Sequence, residues 1–387
     1  MVRRPYPTHR DMTYPPTEAV WRALRELRAT PPGYATSGQR RKVFSAAIEQ
    51  AEQLFRAAST VGPASRPVLL YYGLSQAGRA IAACAPVSAA DYPLQGHGLG
   101  FGNKEQPDVG KVTVKDKGSG NQVFLRVAEI LGSRSLPSDT RVADLWSAIL
   151  EVEHWPLSAS SKSLMHVSSE ISEASSATLT VMISGLPRAL QEPTAKAEIE
   201  RVVTDYLREY PTLAGYSFRH PGVFPAHGPE SSDERQGTIG CRLTWPVGQH
   251  SDAQAQKFDE LAPWRGRSLT ATSRVLHARF GGDDRQLHPL LTWWAVLYAL
   301  SMLARYQPDQ WTTQIDVNRS KDAVNIEYLL DSALSTVPEL VLAAIDEVTG
   351  GVDAPCSTGE AQLSASEQKA SGGQCLGAVE APCQTVR

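Results

Sequence analysis

The sequence lacks the residue patterns that identify several large enzyme classes. It contains no G-x-x-x-x-G-K-[ST], G-x-S-x-G, H-E-x-x-H or D-F-G motif. Each pattern sets a nucleophile, a metal ligand or a phosphate-binding loop at a fixed spacing, so P-loop NTPase, α/β-hydrolase and zincin functions lose support. Gly98, Gly100 and Gly102 imitate a dinucleotide fingerprint. A predicted helix precedes them and a predicted strand follows, whereas such a site needs a strand before it and a helix after it.

Cysteines are few, and none stands at a spacing that suits a metal. The five cysteines form no C-x-x-C pair, and no histidine lies at zinc-finger spacing. We therefore predict no metal site and no cofactor, with the thiols reduced. The cysteines are Cys84, Cys241, Cys356, Cys375 and Cys383, the last three in a tail rich in serine, glycine, alanine and glutamine.

The sequence also lacks a basic excess and a long apolar run. A formal net charge of −3 does not support nucleic-acid binding through many phosphate contacts. The most apolar window, residues 289–304, is 16 residues long, short of the roughly 20 that cross a bilayer. An early arginine pair has no apolar run after it, unlike a secretory signal peptide. We expect a cytoplasmic protein that does not enter a membrane.

The composition and the N-terminal pattern indicate a folded, largely helical protein. With 387 residues, 42% hydrophobic and 20% charged, the chain suits a globular fold of two or three packed parts. Helices are predicted over residues 17–28 and 40–58, where apolar residues recur at helical spacing. Residues 66–86 are apolar around the whole circumference, with small residues such as Gly78. This segment is predicted to be a central, crowded helix.

The helical pattern returns near the C-terminus. A long apolar helix is predicted to begin at Pro289 and to end before Pro308, with Arg305 near its C-terminal end. Residues 325–345 predict another helix, in which Pro338 makes a kink or a break. Because each terminal part carries more apolar surface than it covers alone, we expect the N- and C-terminal helices to form one core.

The middle of the sequence has a different pattern. Alternating residues predict strands at Lys111–Lys115 and Ala177–Pro187, and β-rich composition predicts strands at Thr238–Val247 and Ser268–Phe280. Ala195–Glu209 reads as an amphipathic helix. These elements indicate an inserted α+β unit, so the predicted fold class is α+β, mainly α.

The predicted division of the chain has five parts. They are an N-terminal arm (1–16), an N-terminal helical part (17–97), the inserted α+β unit (98–286), a C-terminal helical part that packs on the N-terminal helical part (287–350) and a disordered tail (351–387).

Three passages together carry a family resemblance. The run Leu-Ser-Met-Leu-Ala-Arg-Tyr, which ends at Tyr306, is the most specific of their features. The passages are Arg66–Ala80 followed by Gln95–Leu99, then His288–Leu291 with the apolar helix through Tyr298–Pro308 and Trp311, and finally Ser320–Leu330 with Pro338 after it.

On these passages the chain resembles the YaaC-like family of bacterial proteins, over about residues 15–345 and without the serine-rich middle and the tail. The resemblance implies an intracellular bacterial protein with helical ends around a variable middle. It implies no particular reaction, so candidate sites have to come from the residues themselves.

One candidate site combines a helix face with the loop that follows it. Tyr72, Gln76 and Arg79 are spaced by four and then three residues, so they share one face of the predicted helix. His97 lies between two glycines, which let the backbone approach a ligand closely, and imidazole titrates near neutrality. If the loop returns over the helix, we expect Arg79 to face His97 and to lower its pKa. In the structural alternative these groups satisfy buried backbone atoms.

Arg305 and Tyr306, with Trp311 nearby, form a second candidate group at the end of the apolar helix. An arginine beside aromatic rings suits a cation–π contact or recognition of an anion. A helix cap with aromatic packing explains the same residues.

Glu151, Glu153 and His154 form a third group, which suggests acid/base chemistry. A helix end with exposed carboxylates also accounts for these residues and is the interpretation we favour.

Two classes of function remain. The favoured one is an interaction, scaffold or ligand-binding protein without enzymatic activity, whose partner is another protein or a small anionic ligand. The other is an enzyme acting on a phosphate-bearing or nucleic-acid substrate, with His97 as general acid/base and Arg79 or Arg305 holding the anion. Such an enzyme would fit a defence or stress complex. The sequence leaves homo-oligomerisation open.

Overall fold

A computed structural model of the protein describes residues 17–350, apart from short internal gaps. The predicted N-terminal arm, the predicted disordered tail and its three cysteines lie outside the described residues. The gaps are residues 104, 106–107, 137, 159–160, 163, 170–176, 192–194, 220–223, 226–237, 249–251, 263–264, 268–271 and 281–285.

The described residues form an α+β fold that is mainly α, as predicted. The helices are α1 (Thr17–Ala29), α2 (Gly38–Ser59), α3 (Arg66–Cys84), α4 (Val123–Ile130), α5 (Val142–Trp146), α6 (Lys196–Leu207), α7 (Ala253–Leu261), α8 (Pro289–Tyr306), α9 (Pro308–Gln314) and α10 (Ala323–Thr349). The strands are β1 (Leu99–Gly102), β2 (Thr113–Asp116), β3 (Thr140–Arg141), β4 (Met165–Ser169), β5 (Thr178–Pro187), β6 (Ser217–Phe218), β7 (Phe224–Pro225), β8 (Thr238–Pro246), β9 (Arg265–Arg267) and β10 (Thr272–Leu276).

The N- and C-terminal helices share one hydrophobic core, which confirms that prediction. α3 and α8 lie at its centre and are buried on nearly all sides. Their close approach depends on Gly78, because a Cβ atom there would lie 2.3 Å from Cη2 of the fully buried Trp294. Trp294 in turn packs edge-on against Phe124 of α4, with ring centroids 6.0 Å apart.

α10 runs through Pro338 as one continuous helix, so the break that the sequence allowed there does not occur. The buried Pro338 lies on the face that packs into the core, and tertiary packing offsets the hydrogen bond that proline cannot donate. By length and composition α10 is apolar enough to span a membrane, since an 18-residue window of it has a mean hydropathy of 1.4. Core helices of soluble proteins pass the same test, and α10 packs against α1, α3 and α8.

Buried contacts group the middle of the chain differently from the predicted boundaries. The first small sheet, with strand order β1-β2-β3, packs into the helical core together with α4 and α5. Residues Leu99 to Leu157 therefore share the core of the terminal helices, although they fall within the predicted inserted unit. The division into domains stays a prediction.

A larger antiparallel sheet forms a second hydrophobic cluster, here called the sheet lobe. Its strand order is β6-β8-β5-β4-β10-β9, and β7 also pairs with β8. α6 covers one face with Val203 and Leu207. β5 and β8 match two of the predicted strands closely, because alternating apolar residues such as Val181 and Ile183 point into this cluster.

Candidate functional site

Packing of α3 against α8 brings the two main predicted candidate groups into one site. The guanidinium carbon of Arg305, at the end of α8, lies 5.8 Å from the ring centre of Tyr71, 5.4 Å from that of Tyr72 and 5.2 Å from that of Tyr306. All three distances suit cation–π contact. We call these residues, together with His97 and Tyr298, the Arg305 site.

Three protein acceptors fix the Arg305 guanidinium. Its Nη1 donates to the hydroxyl of Tyr72 at 2.8 Å, its Nε to the carbonyl of Ser301 at 3.2 Å, and its Nη2 to Sδ of Met302 at 3.1 Å. A guanidinium has five N–H donors. One donor therefore remains on each terminal nitrogen, which is the number that an oxygen pair of a phosphate or carboxylate accepts.

The positive charges at the site have no carboxylate partner. Among the described residues, no aspartate or glutamate forms an ion pair with Arg305, Arg79 or Lys117, whereas Arg126 pairs with Asp91 at 3.1 Å. Arg79 donates from Nη1 to the carbonyl of Ser75 at 3.1 Å. Burial lowers the pKa of the Arg79 guanidinium, and the nearby Tyr71 opposes that effect. The site therefore carries an uncompensated positive charge.

His97 reaches the site from the loop before β1. Gly96 and Gly98 on either side have φ angles of 58° and 81°, a region that residues with a Cβ rarely adopt, so both glycines are needed there. The imidazole ring lies against Tyr298, with ring centroids 5.4 Å apart. The hydroxyl of Tyr298 donates to the carbonyl of Leu99 at 2.9 Å, which ties the start of β1 to α8.

The surroundings of His97 define its protonation. Burial lowers the pKa of His97, and the charges of Arg305 and Lys117 lower it further. The role expected of Arg79 in this shift belongs to Arg305 instead, on α8, whose Tyr298 lies against the His97 ring. Nδ1 of His97 accepts the backbone N–H of Leu99 at 3.4 Å, so the neutral ring carries its proton on Nε2.

The buried phenols at the site stay protonated. Burial raises the pKa of Tyr71 to about 12 and that of Tyr298 to about 12. Sequence reasoning did not select Tyr298 or Lys117. Tyr298 lies seven residues before Arg305 on α8, a spacing of two helical turns that places both on one face. That spacing was the signal that could have identified Tyr298.

The remaining predicted residues, Gln76, Tyr306 and Trp311, differ in their exposure and in their contacts. Gln76 is half-buried on α3, and its side chain makes no hydrogen bond within the described part of the chain. Tyr306 is 63% exposed. Trp311 donates from its indole to the carbonyls of Pro63 and Ala64 at 3.3 and 3.1 Å, so it packs α9 against the loop before α3. The assignment of a function to these residues stays a prediction.

The acidic group around Glu151 is more enclosed than the sequence suggested. Burial is the main cause that raises the pKa of Glu151, to about 7, and the charge of Glu339 contributes in the same direction. Thr336 and Trp293 form hydrogen bonds with the Glu151 carboxyl group. We call this group, with Glu339, the Glu151 cluster.

Beside the cluster, Glu153 contacts His166 of β4 at 2.7 Å and His154 at 3.4 Å. Within the described ranges, no group of histidine, cysteine, aspartate and glutamate side chains is arranged to hold a metal ion.

A groove of about 550 Å³ lies on the sheet lobe, between α6 and β6. Its charged side chains pair with one another: Asp205 contacts Arg208 at 2.8 Å and Arg201 at 3.6 Å. The groove therefore offers balanced charge, unlike the Arg305 site, and we base the functional argument on the latter.

Comparison with known proteins identifies one family. The model of the family described as YaaC-like Protein matches residues 18–345. The searches of curated proteins and of solved structures found no match.

Proposed function

The chain belongs to the YaaC-like family, and we propose that it binds a small anionic ligand at the Arg305 site, in the cytoplasm of a bacterial cell. The family description names no ligand or reaction, so the proposal depends on the chemistry of the site.

One observation carries the proposal. The Arg305 guanidinium is held by Tyr72, Ser301 and Met302, yet no carboxylate among the described residues neutralises its charge. An arginine cannot lose its proton in a protein, so its charge has to be balanced by water or by a bound anion. A fixed guanidinium with two remaining donors needs little reorganisation to bind that anion.

The geometry of His97 favours binding over catalysis. A general base needs a lone pair on the nitrogen that faces the ligand, but Nδ1 is occupied by the Leu99 N–H and Nε2 carries the proton. A general acid needs the imidazolium form, and the lowered pKa of His97 makes that form scarce at neutral pH. Neutral His97 is suited to donate one hydrogen bond from Nε2 to an anion.

A scaffold role is the competing proposal, because an acidic side chain of a partner protein would meet the same donors. The half-buried guanidinium and the single ring donor of His97 suit a small oxyanion better than a large partner surface. The first question is therefore whether the protein binds an inorganic anion by itself.

The test measures thermal unfolding of the protein in increasing sodium sulfate, against sodium chloride at matched ionic strength. We expect a saturable stabilisation specific to sulfate, of about 1.4 kcal/mol at ten times the Kd. Arg305→Gln removes the specific part, whereas Arg22→Gln, an exposed arginine on α1, retains it. Equal responses to sulfate and chloride in the unmodified protein would contradict the proposal, as would an unchanged sulfate response in a folded Arg305→Gln protein.

A further inference from the structure

We propose that the ligand of the Arg305 site is a nucleoside monophosphate, with its phosphate on Arg305 and His97 and its base stacked on the exposed ring of Tyr306. This inference rests on the proposed function and adds the identity of the ligand class. Three features of the site lead to it: the number of positive charges, the hydrogen-bond donors and the exposed rings.

The positive charge exceeds what a singly charged anion needs. Arg305 and Lys117 both act on the His97 ring, and Arg305 and Arg79 both act on Tyr71. Arg305, Arg79 and Lys117 therefore place three positive charges near one group of rings, and no described carboxylate pairs with them. The attraction between fixed cations and an anion grows in proportion to the anion's charge. A terminal phosphate, with close to two negative charges at neutral pH, fits this site better than a carboxylate or a phosphodiester.

The donors match several oxygens at once. Arg305 has one free N–H on each terminal nitrogen, and His97 presents Nε2–H. Gln76, on the same face of α3 as Tyr72, has an amide that no described residue engages. A terminal phosphate has three acceptor oxygens with more than one lone pair each, so it can accept from Arg305 and His97 together.

Exposed aromatic rings lie on both sides of Arg305. Only five large hydrophobic side chains in the described part of the chain are exposed, and two of them, Tyr72 at 43% and Tyr306 at 63%, flank Arg305. The ring centre of Tyr306 is 5.2 Å from the guanidinium carbon. Tyr72 is engaged through its hydroxyl, whereas the hydroxyl of Tyr306 has no described partner. Its open face suits a flat base, since every nucleobase has a π face that stacks on an aromatic side chain.

The ring and the cations lie close enough for a single small ligand to reach both. In a nucleoside monophosphate one sugar separates the base from a terminal phosphate. A nucleic-acid chain instead presents singly charged diesters, and the net charge of −3 gives it no general attraction. The site therefore favours a mononucleotide over an RNA or DNA strand.

The test compares four probes by isothermal titration calorimetry: sulfate, ribose 5-phosphate, AMP and the dinucleotide ApA without a terminal phosphate. We expect AMP to bind about tenfold tighter than ribose 5-phosphate, a ratio in the lower part of the range for stacking one base on an aromatic residue. Tyr306→Ala is expected to remove that tenfold gain and to leave ribose 5-phosphate unchanged. Tyr34→Ala, which alters a tyrosine that is 60% exposed elsewhere, retains the gain.

Each result bears on a separate part of the inference. Equal affinities for AMP and ribose 5-phosphate would overturn the nucleotide assignment while sulfate binding still supports the proposed function. An AMP affinity that Tyr306→Ala does not change would overturn the stacking on Tyr306. ApA binding as tight as AMP would overturn the requirement for a terminal phosphate. Absence of binding by sulfate and by both phosphates would overturn the proposed function itself.

Discussion

Two groups of like-charged residues lie against the same helix, α8, and they differ in how their charge is managed. At the C-terminal end of α8, Arg305 stays charged beside Arg79 and Lys117 without a described carboxylate. Near its N-terminal end, Trp293 contacts Glu151, whose carboxyl group lies close to that of Glu339. Burial and like charge raise the pKa of Glu151 to about 7.

The two groups differ in their exposure to solvent and in whether their charged side chains can become neutral. The carboxyl group of Glu151 is enclosed although part of the residue reaches the surface, and a carboxylate can escape the cost of burial by taking up a proton. Arg305 has no such option, so it remains half-exposed and available to an anion. The half-exposed Arg305 site therefore suits ligand binding, whereas the enclosed Glu151 cluster makes the stability of the protein depend on pH.

The largest expected effect comes from forcing α3 and α8 apart beneath the Arg305 site. In Gly78→Ala the new Cβ would lie 2.3 Å from Cη2 of Trp294 and 3.0 Å from Cγ1 of Val123. Because Trp294 is fully buried, we expect a loss of about 3 kcal/mol or more in the free energy of unfolding, measured by urea denaturation. Sulfate binding should weaken as well, because Tyr72 and Arg305 sit on the two separated helices.

The control is Gly62→Ala, since a Cβ at Gly62 has nothing within 4 Å. Equal stability of Gly78→Ala and Gly62→Ala would show that α3 and α8 do not pack in this way.

The next effect concerns the Glu151 cluster. The folded pKa of Glu151, about 7, lies above its ordinary value of 4.5, so the folded state holds the proton more tightly than the unfolded state does. Stability is then highest at acid pH and falls as the pH rises from about 4.5 through about 7, with a total cost of roughly 3 kcal/mol. Glu151→Gln removes this cost, so we expect it to exceed the unmodified protein in stability at about pH 8 and to match it near pH 4.5.

Chemical denaturation at both pH values measures the effect. Glu26→Gln, on the exposed face of α1, should change neither value. A stability difference for Glu151→Gln that does not depend on pH would contradict the raised pKa.

A smaller effect tests how Arg305 is held. Tyr72→Phe deletes the hydroxyl that accepts from Nη1 at 2.8 Å and keeps the ring. The hydroxyl holds the guanidinium in place, and one such hydrogen bond contributes about 1 kcal/mol. We therefore expect sulfate affinity to fall by up to about fivefold and the melting temperature to fall by a few degrees at most. Tyr34→Phe serves as the control. Unchanged affinity in Tyr72→Phe would mean that the hydroxyl does not position the guanidinium.

The smallest effect is the response of the Arg305 site to pH. The pKa of His97 lies below its ordinary value of 6.5, so the ring gains a positive charge only as the pH falls below that value. We expect sulfate affinity to rise about threefold at acid pH, because sulfate keeps its own charge throughout. His97→Asn, which keeps an N–H donor, should lose this rise, whereas His154→Asn, 68% exposed beside Glu153, should retain it. Identical pH profiles for the unmodified and His97→Asn proteins would exclude His97 from the site.

The Arg305 site shows how far sequence reasoning reached. Tyr72 and Arg305 were both selected, because an aromatic or cationic residue on a helix face is visible in the local pattern. They were assigned to separate groups because 233 positions separate them in the chain. In the structure the two residues share a hydrogen bond. Lys117 was not selected, because nothing near it in the sequence indicates that β2 ends beside His97.

The sequence by itself determined the long helices of the core and several strands. The predicted helices at 40–58 and 66–86 correspond to α2 and α3 within two residues at each end. The predicted strand at 177–187 corresponds to β5 within one residue. Helical and strand periodicity reflect contacts between near neighbours in the chain, so a single sequence carries them. The common core of the terminal helices followed in the same way from the amount of apolar surface on each.

Only the tertiary structure decided which charges meet. The fit of Trp294 against Gly78 sets the spacing between α3 and α8, and that spacing places Arg305 over Tyr72. The enclosure of Glu151 likewise depends on α8 and α10, which lie far along the chain from it. Electrostatic interactions and burial depend on distance in space, and residues distant in the chain approach one another only through the packing of whole elements.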